Sequence, residues 1–197
     1  MKEITIKAYE FHELSEKAQK RVLEKYSDIN VNDDYWHDPY IEEFKEDLKN
    51  WGVTDPEIGY SGFWSQGDGA CFAGGEIDEA KLLQTMRECS YFDVPHSWLN
   101  AAVEGSLTIR IVKFNHRYEH SKTIHAKVDY IGEVLSKDEE EDMETVITGW
   151  AQDMSDQLYR SLEKGYDSLQ TEDAVIEEIT AREWVFTESG QRISILV

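Results

Sequence analysis

The sequence predicts an α+β fold, with antiparallel β-hairpins packed against a long C-terminal helix and several shorter helices. Three observations carry this. Alternating polar and apolar stretches come in pairs joined by turn residues, as hairpins require. Apolar residues at three- and four-residue spacing recur in separate stretches, the last beginning near Asp138 and running for about 30 residues. Strands and helices do not alternate strictly, so a parallel sheet of βαβ units is not expected.

Each element has its own signal. Ile4 to Phe11 alternates with period two and reads as a strand. Ser15 is placed to cap a helix whose Leu14, Ala18, Val22 and Tyr26 share one face. A second helix carries clear punctuation, with Asp38 as N-cap, Pro39 in the first turn and Gly52 just past the end. Ile41, Phe44, Leu48 and Trp51 form its apolar stripe. Glu57–Gly62 and Ala70–Gly75 read as two short strands around a loop. Asp78 caps a helix to about Arg87, with Leu82, Leu83 and Met86 inward, and a short helix near Trp98 follows. Leu107–Phe114 and Thr123–Ile131 make a second hairpin. In the long helix, Ile147, Trp150, Met154, Leu158, Leu162, Tyr166 and Leu169 form a buried seam. Thr171 caps a last helix, and Trp184–Thr187 with Arg192–Val197 reads as a closing hairpin around Ser189-Gly190.

The composition is globular: 40% hydrophobic, 12% aromatic and only 3 Pro in 197 residues, which fits a single domain over 1–197 with an acidic helical part from about 137. No apolar run approaches the roughly 18–20 residues that span a bilayer. The start is charged and alternating, unlike a secretory leader. Cys71 and Cys89 are too few for a disulfide framework and lack metal-site spacing. The expected setting is a reducing cytoplasm, with no membrane association and no cofactor.

Charge restricts the partners. The chain carries 41 acidic and 20 basic residues, a net charge of −21. From Lys137 onward there are 16 acidic and 5 basic residues, about twice the negative density of the rest. The peak is Asp138, Glu139, Glu140, Glu141, Asp142 and Glu144, read as an acidic partner-binding face, with helix-dipole stabilisation as its alternative role. This balance opposes direct nucleic-acid binding, which needs Lys and Arg to release counterions. It favours a protein partner with a basic surface, and DNA mimicry only if the charge is gathered on one face. Against the trend, Arg110 to Lys127 holds Arg110, Lys113, His116, Arg117, His120, Lys122, His125 and Lys127, opposed by Glu119 alone. Internal pairing with the acidic helix is the expected role of that strip, and an anion site its alternative.

The chemically dense segment is Tyr60–Phe72. Its three glycines permit positive φ and close backbone approach, and successive amides there can form an anion nest. Phe63 and Trp64 offer stacking faces, while Ser65, Gln66 and Asp68 offer polar contacts. With Arg110 and His125 these are the candidate ligand- or partner-binding residues; the competing reading is a plain turn bent at Asp68-Gly69. No Gly-Lys-Ser/Thr follows, so the segment is not a phosphate loop. Asp33-Asp34-Tyr35-Trp36-His37-Asp38 is a weaker divalent-ion candidate, and Cys71 a weaker nucleophile.

Four segments carry a resemblance: Glu13-Leu14-Ser15-Glu16-Lys17-Ala18, Tyr60 through Ala70, Leu158-Tyr159-Arg160-Ser161-Leu162-Glu163-Lys164, and Phe186-Thr187-Glu188-Ser189-Gly190. Together they resemble a family of small acidic proteins encoded by tailed bacteriophages and prophages. The likeness runs over most of the chain, and the central loop is its most specific part. It implies an accessory phage protein in a bacterial cytoplasm and supplies no catalytic residue. The leading expectation is therefore a non-enzymatic protein that binds and inhibits or redirects a host defence or DNA-handling protein through an acidic surface. The alternative is a protein that sequesters a small anionic ligand such as a nucleotide, using the Phe63–Ala70 loop and the basic Arg110–Lys127 hairpin.

Overall fold

The structure, a computed structural model, describes residues 5–114 and 117–194. In chain order its elements are α1 (Glu16–Tyr26), α2 (Asp38–Asn50), β1 (Val53–Thr54), β2 (Glu57–Tyr60), β3 (Ala70–Ala73), β4 (Glu76–Ile77), α3 (Glu79–Glu88), α4 (His96–Val103), β5 (Leu107–Lys113), β6 (Ile124–Tyr130), α5 (Lys137–Leu169) and α6 (Glu172–Ala181). The strands pair antiparallel as β1–β4, β2–β3 and β5–β6, so the fold is α+β. The chain divides into two compact units. One is Asp38–Glu163; the other joins the two chain ends, up to His37 and from Lys164.

In the unit made from the ends, two capped helices meet over an apolar cluster. The Ser15 hydroxyl accepts from the Ala18 amide (3.4 Å) and the Thr171 hydroxyl from the Ala174 amide (3.3 Å). Phe11, Leu14, Ala18, Val22, Val175, Ile179 and Phe186 are buried together. Phe186 and Tyr9 exchange two backbone hydrogen bonds of 2.8 Å. That bridge replaces the strand expected over Ile4–Phe11: Thr5 to Ala8 form no strand, and Ile4 lies outside the described residues. Phe11–Glu13 is instead a single 3-10 turn, closed by the Glu13 carboxylate accepting from the Glu10 amide (2.8 Å). The closing hairpin is likewise reduced to a bridge between Phe186 and Arg192. Its turn brings Gly190, at φ +85°, so close to α1 that a Cβ would lie 2.9 Å from the Ala18 carbonyl oxygen. Of the expected return strand, residues 195–197 lie outside the described residues.

The larger unit is built on α5. Ile147, Trp150, Met154, Leu158 and Leu162 of the expected seam are at most 5% exposed and are joined by Met143, whereas Tyr166 and Leu169 are half-buried. Trp150 contacts Phe72 of β3 (5.9 Å between ring centroids) and Trp51 (5.5 Å), and Phe72 contacts Phe44 of α2 (5.8 Å). Leu82, Leu83 and Met86 of α3 are fully buried, and the Asp78 carboxylate caps that helix at the Lys81 amide (2.9 Å). The β5–β6 hairpin buries Leu107, Ile109, Ile111, Ile124, Ala126 and Val128 on one face.

A two-stranded sheet leaves two open edges, and both are covered here. Glu144 and Thr148 of α5 accept from the Val128 and Ala126 amides of β6 (2.9 and 2.8 Å). Glu79 of α3 accepts from the Ile109 amide of β5 (3.1 Å). The strands β1 and β4, two residues each, close the base of the β2–β3 hairpin. No helix among the described residues is long and apolar enough to cross a membrane.

Because Leu158 is 1% exposed at the centre of the seam, Leu158→Ala is expected to cost about 2–4 kcal/mol in urea unfolding through the cavity it leaves. A loss below about 0.5 kcal/mol, typical of a surface substitution, would show that the seam does not carry the core.

Candidate functional site

The Tyr60–Ala70 segment is a loop whose shape is set by its own carboxylate. Asp68 Oδ2 accepts from the Trp64 amide (2.9 Å) and the Ser65 amide (2.6 Å). The Asp68 amide donates back to the Ser65 carbonyl (3.0 Å), and Ser61 donates to the Gly69 carbonyl (3.1 Å). Gly62 and Gly67 take φ of +78° and +96°, values an L side chain rarely adopts. The amides that could have formed an anion nest are thus filled from within. Asp68 is a framework residue rather than a displayed one.

The close approach that the glycines permit is also internal. The connection between β5 and β6 lies against three of them. A Cβ on Gly67 would fall 2.7 Å from the Tyr118 ring, and one on Gly69 2.6 Å from the His120 Cα. On Gly59 it would overlap the Glu119 carboxylate at 1.8 Å. Glu119 in turn accepts from Lys113 Nζ and from the Cys71 thiol (3.4 Å). Burial pushes the Cys71 pKa up to about 11 from its ordinary 9.0, and neighbouring Glu119 adds to the rise. At neutral pH Cys71 is therefore a protonated, 1% exposed thiol, unsuited to act as a nucleophile.

Above this base the loop displays aromatics. Phe63 packs between Tyr60 (5.3 Å) and Tyr159 of α5 (5.6 Å), and the Tyr159 hydroxyl donates to the Phe63 carbonyl (3.5 Å). Trp64 sits edge-on to Phe63 (5.7 Å, 80°) and is 73% exposed; Ser65 and Gln66 beside it are exposed too. Burial raises the Tyr159 pKa, and the negative charges of Glu163 and Asp68 raise it further.

The basic strip pairs internally, but mainly within its own hairpin rather than with the acidic helix. Arg110 pairs with Asp129 across the strands, and Lys113 with Glu119. Arg117 stacks over Tyr118 (4.9 Å). Lys122 reaches α5, donating to the neutral Gln152 (3.4 Å). His125 stacks on Phe114 (4.4 Å, 22°), and its buried Nδ1 has no hydrogen-bond partner among the described residues. His116 lies outside the described residues. The hollow of about 480 Å³ beside His125 is lined by Glu141 and Glu144, the wrong sign for an anionic ligand. Trp64 and Gln66 stand on the loop, Arg110 is held by Asp129, and neither Trp64, Gln66 nor Arg110 lines that hollow.

The acidic run splits by role. Glu139 accepts from the Ser136 amide (2.9 Å) and hydroxyl (3.0 Å), which lowers its pKa and caps α5. Glu144 covers the β6 edge, Glu140 is partly buried, and Met143 between them is fully buried. Asp138, Glu141 and Asp142 remain exposed. The Asp33–Asp38 candidate gathers no metal site: no group of three His, Cys, Asp or Glu suited to a metal ion occurs among the described residues.

Sequence reasoning did not find Tyr118, Glu119, Tyr159 or Glu163 as neighbours of the loop. The available signal was Glu119 itself, a single acid in a basic stretch, opposite a segment whose glycines demanded a close partner.

The fold and the loop define an α+β protein that displays an aromatic side chain at a loop tip. The chain belongs to the family described as Domain of unknown function (DUF8835), whose model matches residues 36–172, a span that holds the loop, the β5–β6 hairpin and α5 up to and beyond the acidic run. Neither the search of curated proteins nor that of solved structures found a match.

Two outcomes are expected. Gly69→Ala should destabilise the protein by about 1–3 kcal/mol, since its Cβ meets His120 backbone that cannot swing aside; an unchanged melt would show that the 118–120 segment does not rest on the loop. In thiol titration at pH 8, exposed Cys89 should react at once and Cys71 only after unfolding. The raised Cys71 pKa also means that its stabilising contribution is full below pH 9.0 and is lost as pH rises through about 11. Two equally fast thiols would contradict the buried geometry.

Proposed function

We propose that the protein is a non-enzymatic accessory protein of a bacteriophage or prophage, acting in the bacterial cytoplasm. It binds a host protein through an acidic surface and inhibits or redirects it. The observation that carries this reading is the distribution of charge on the outward face of α5. At 3.6 residues per turn, Asp138, Glu141, Asp142, Asp153, Asp156 and Glu163 all fall within about 60° of one line along the helix, opposite the buried seam. Arg160 is the one cation in that sector between 138 and 163.

Magnitude selects the kind of partner. Six carboxylates over about 38 Å of helix axis give one per roughly 6 Å, against one per roughly 1.7 Å of axis in duplex DNA. A DNA-binding groove tuned to phosphate density would find too little charge here. A protein with a moderately basic face would find enough to steer its encounter. The small-ligand alternative loses its main support, because the loop amides are occupied by Asp68 and the hollow at His125 is acidic.

The test neutralises only the exposed acids. Asp138→Asn, Glu141→Gln and Asp142→Asn are combined, leaving Glu139 and Glu144 to cap and cover. The host protein retained on the immobilised wild type should associate with this variant about fivefold more slowly at low salt, and the difference should fade as ionic strength shortens the screening length to roughly 8 Å. Equal association rates with an unchanged melt would assign the run to solubility and overturn the proposal.

A further inference from the structure

Resting on the reading of α5 as a docking face, we infer that the Trp64 loop is the anchor of that face and takes an arginine side chain from a basic segment of the partner. Trp64 is 73% exposed, an unusual placement for the largest apolar side chain, and it is not loosely held. Both its own amide and that of Ser65 are tied to Asp68, and the preceding Phe63 is wedged on Tyr60 and Tyr159. An aromatic carried on a backbone already tied in place needs less ordering on contact than one on an open loop, which suits an interface anchor.

The surroundings decide what it receives. Tyr159 and Glu163 belong to the same outward sector of α5 as Asp138, so the loop stands at one end of the acidic stripe rather than apart from it. Glu163 lies one helical turn beyond Tyr159, the residue of α5 that packs on Phe63, so the acidic stripe reaches the foot of the loop. An exposed indole at the end of an acidic helix face suits a guanidinium, which stacks flat on the ring while its N–H edge meets a carboxylate of the stripe. A lysine ammonium, compact and strongly hydrated, gains less from the same site. An apolar side chain would bring the carboxylates no partner. The stripe and the anchor together span about 38 Å, so the occupant is an extended arginine-bearing segment of a protein rather than a free amino acid.

The probes are a nona-arginine and a nona-lysine peptide, titrated at physiological ionic strength into the full chain. Binding is followed through the indole N–H resonances of the six tryptophans, with Trp64 assigned by its loss in Trp64→Phe. The arginine peptide is expected to shift the Trp64 resonance first and to bind roughly three- to thirty-fold more tightly than the lysine peptide. Trp64→Ala should bring that ratio to about one with an unchanged melt, and Trp64→Phe should keep part of it. Tyr35→Ala, which removes another exposed aromatic (71%), should leave it intact. A ratio that survives Trp64→Ala, or a Trp64 resonance that stays still while peptide binds, overturns the anchor. The charge-neutralised α5 variant separates the two ideas. If it binds both peptides as tightly as wild type while Trp64→Ala does not, the docking-face reading fails and the loop alone is the site. If it binds both weakly while Trp64→Ala changes nothing, the anchor fails and the docking face stands.

Discussion

The apolar seam of α5 is the constraint on which the larger unit depends. A helix in a folded protein draws most of its stability from packing its apolar face and little from propensity alone. Burial of Met143, Ile147, Trp150, Met154, Leu158 and Leu162 makes α5 a fixed rod. The surrounding elements are then placed by contact with it. Phe72 and Trp51 meet Trp150, Phe63 meets Tyr159, and the Tyr91 hydroxyl donates to Asp153 (2.7 Å). The polar flank of the same helix supplies Glu144, Thr148 and Gln152 to the edge of β6. One helix therefore offers an apolar face to the core, a hydrogen-bonding flank to a strand and a charged face to solvent.

A second theme is the use of carboxylates as internal acceptors. Asp68 shapes a loop, Asp78 caps α3, Glu139 caps α5, and Glu79 and Glu144 cover strand edges. Each meets a backbone amide that would otherwise have relied on water. The net charge of −21 thus overstates the charge devoted to recognition, since part of it maintains the fold. What remains exposed on one side of α5 is correspondingly more informative than the total.

Much of this was legible in the sequence wherever a period or a punctuation mark existed. The α5 seam, the β2–β3 and β5–β6 hairpins, and the caps at Ser15, Asp78 and Thr171 lie where periodicity and cap chemistry place them. The failures have physical causes. Alternation over Ile4–Phe11 signalled a strand, but a strand needs a neighbour along its length, and Tyr9 found only Phe186. The two-residue strands β1 and β4 are too short to show a period. The loop glycines announced a close approach, yet the approaching group is about 50 residues away in sequence and belongs to the same chain. The acidic run read as one face, although helical geometry turns Met143 inward and carries Glu139 and Glu144 away from Asp138, Glu141 and Asp142.

The carboxylate inside the loop has an effect on how tightly anything could be held there. Ordering a flexible segment on association costs roughly 1–2 kcal/mol per residue in backbone entropy, so fixing even four residues would weaken binding by about three to six orders of magnitude. Here Asp68 holds the Trp64 and Ser65 amides within the folded chain itself. On this side of the contact, little backbone remains to be ordered. The lifetime of the contact is set by how well the surfaces match, and very little of the interaction is spent on making the loop hold still.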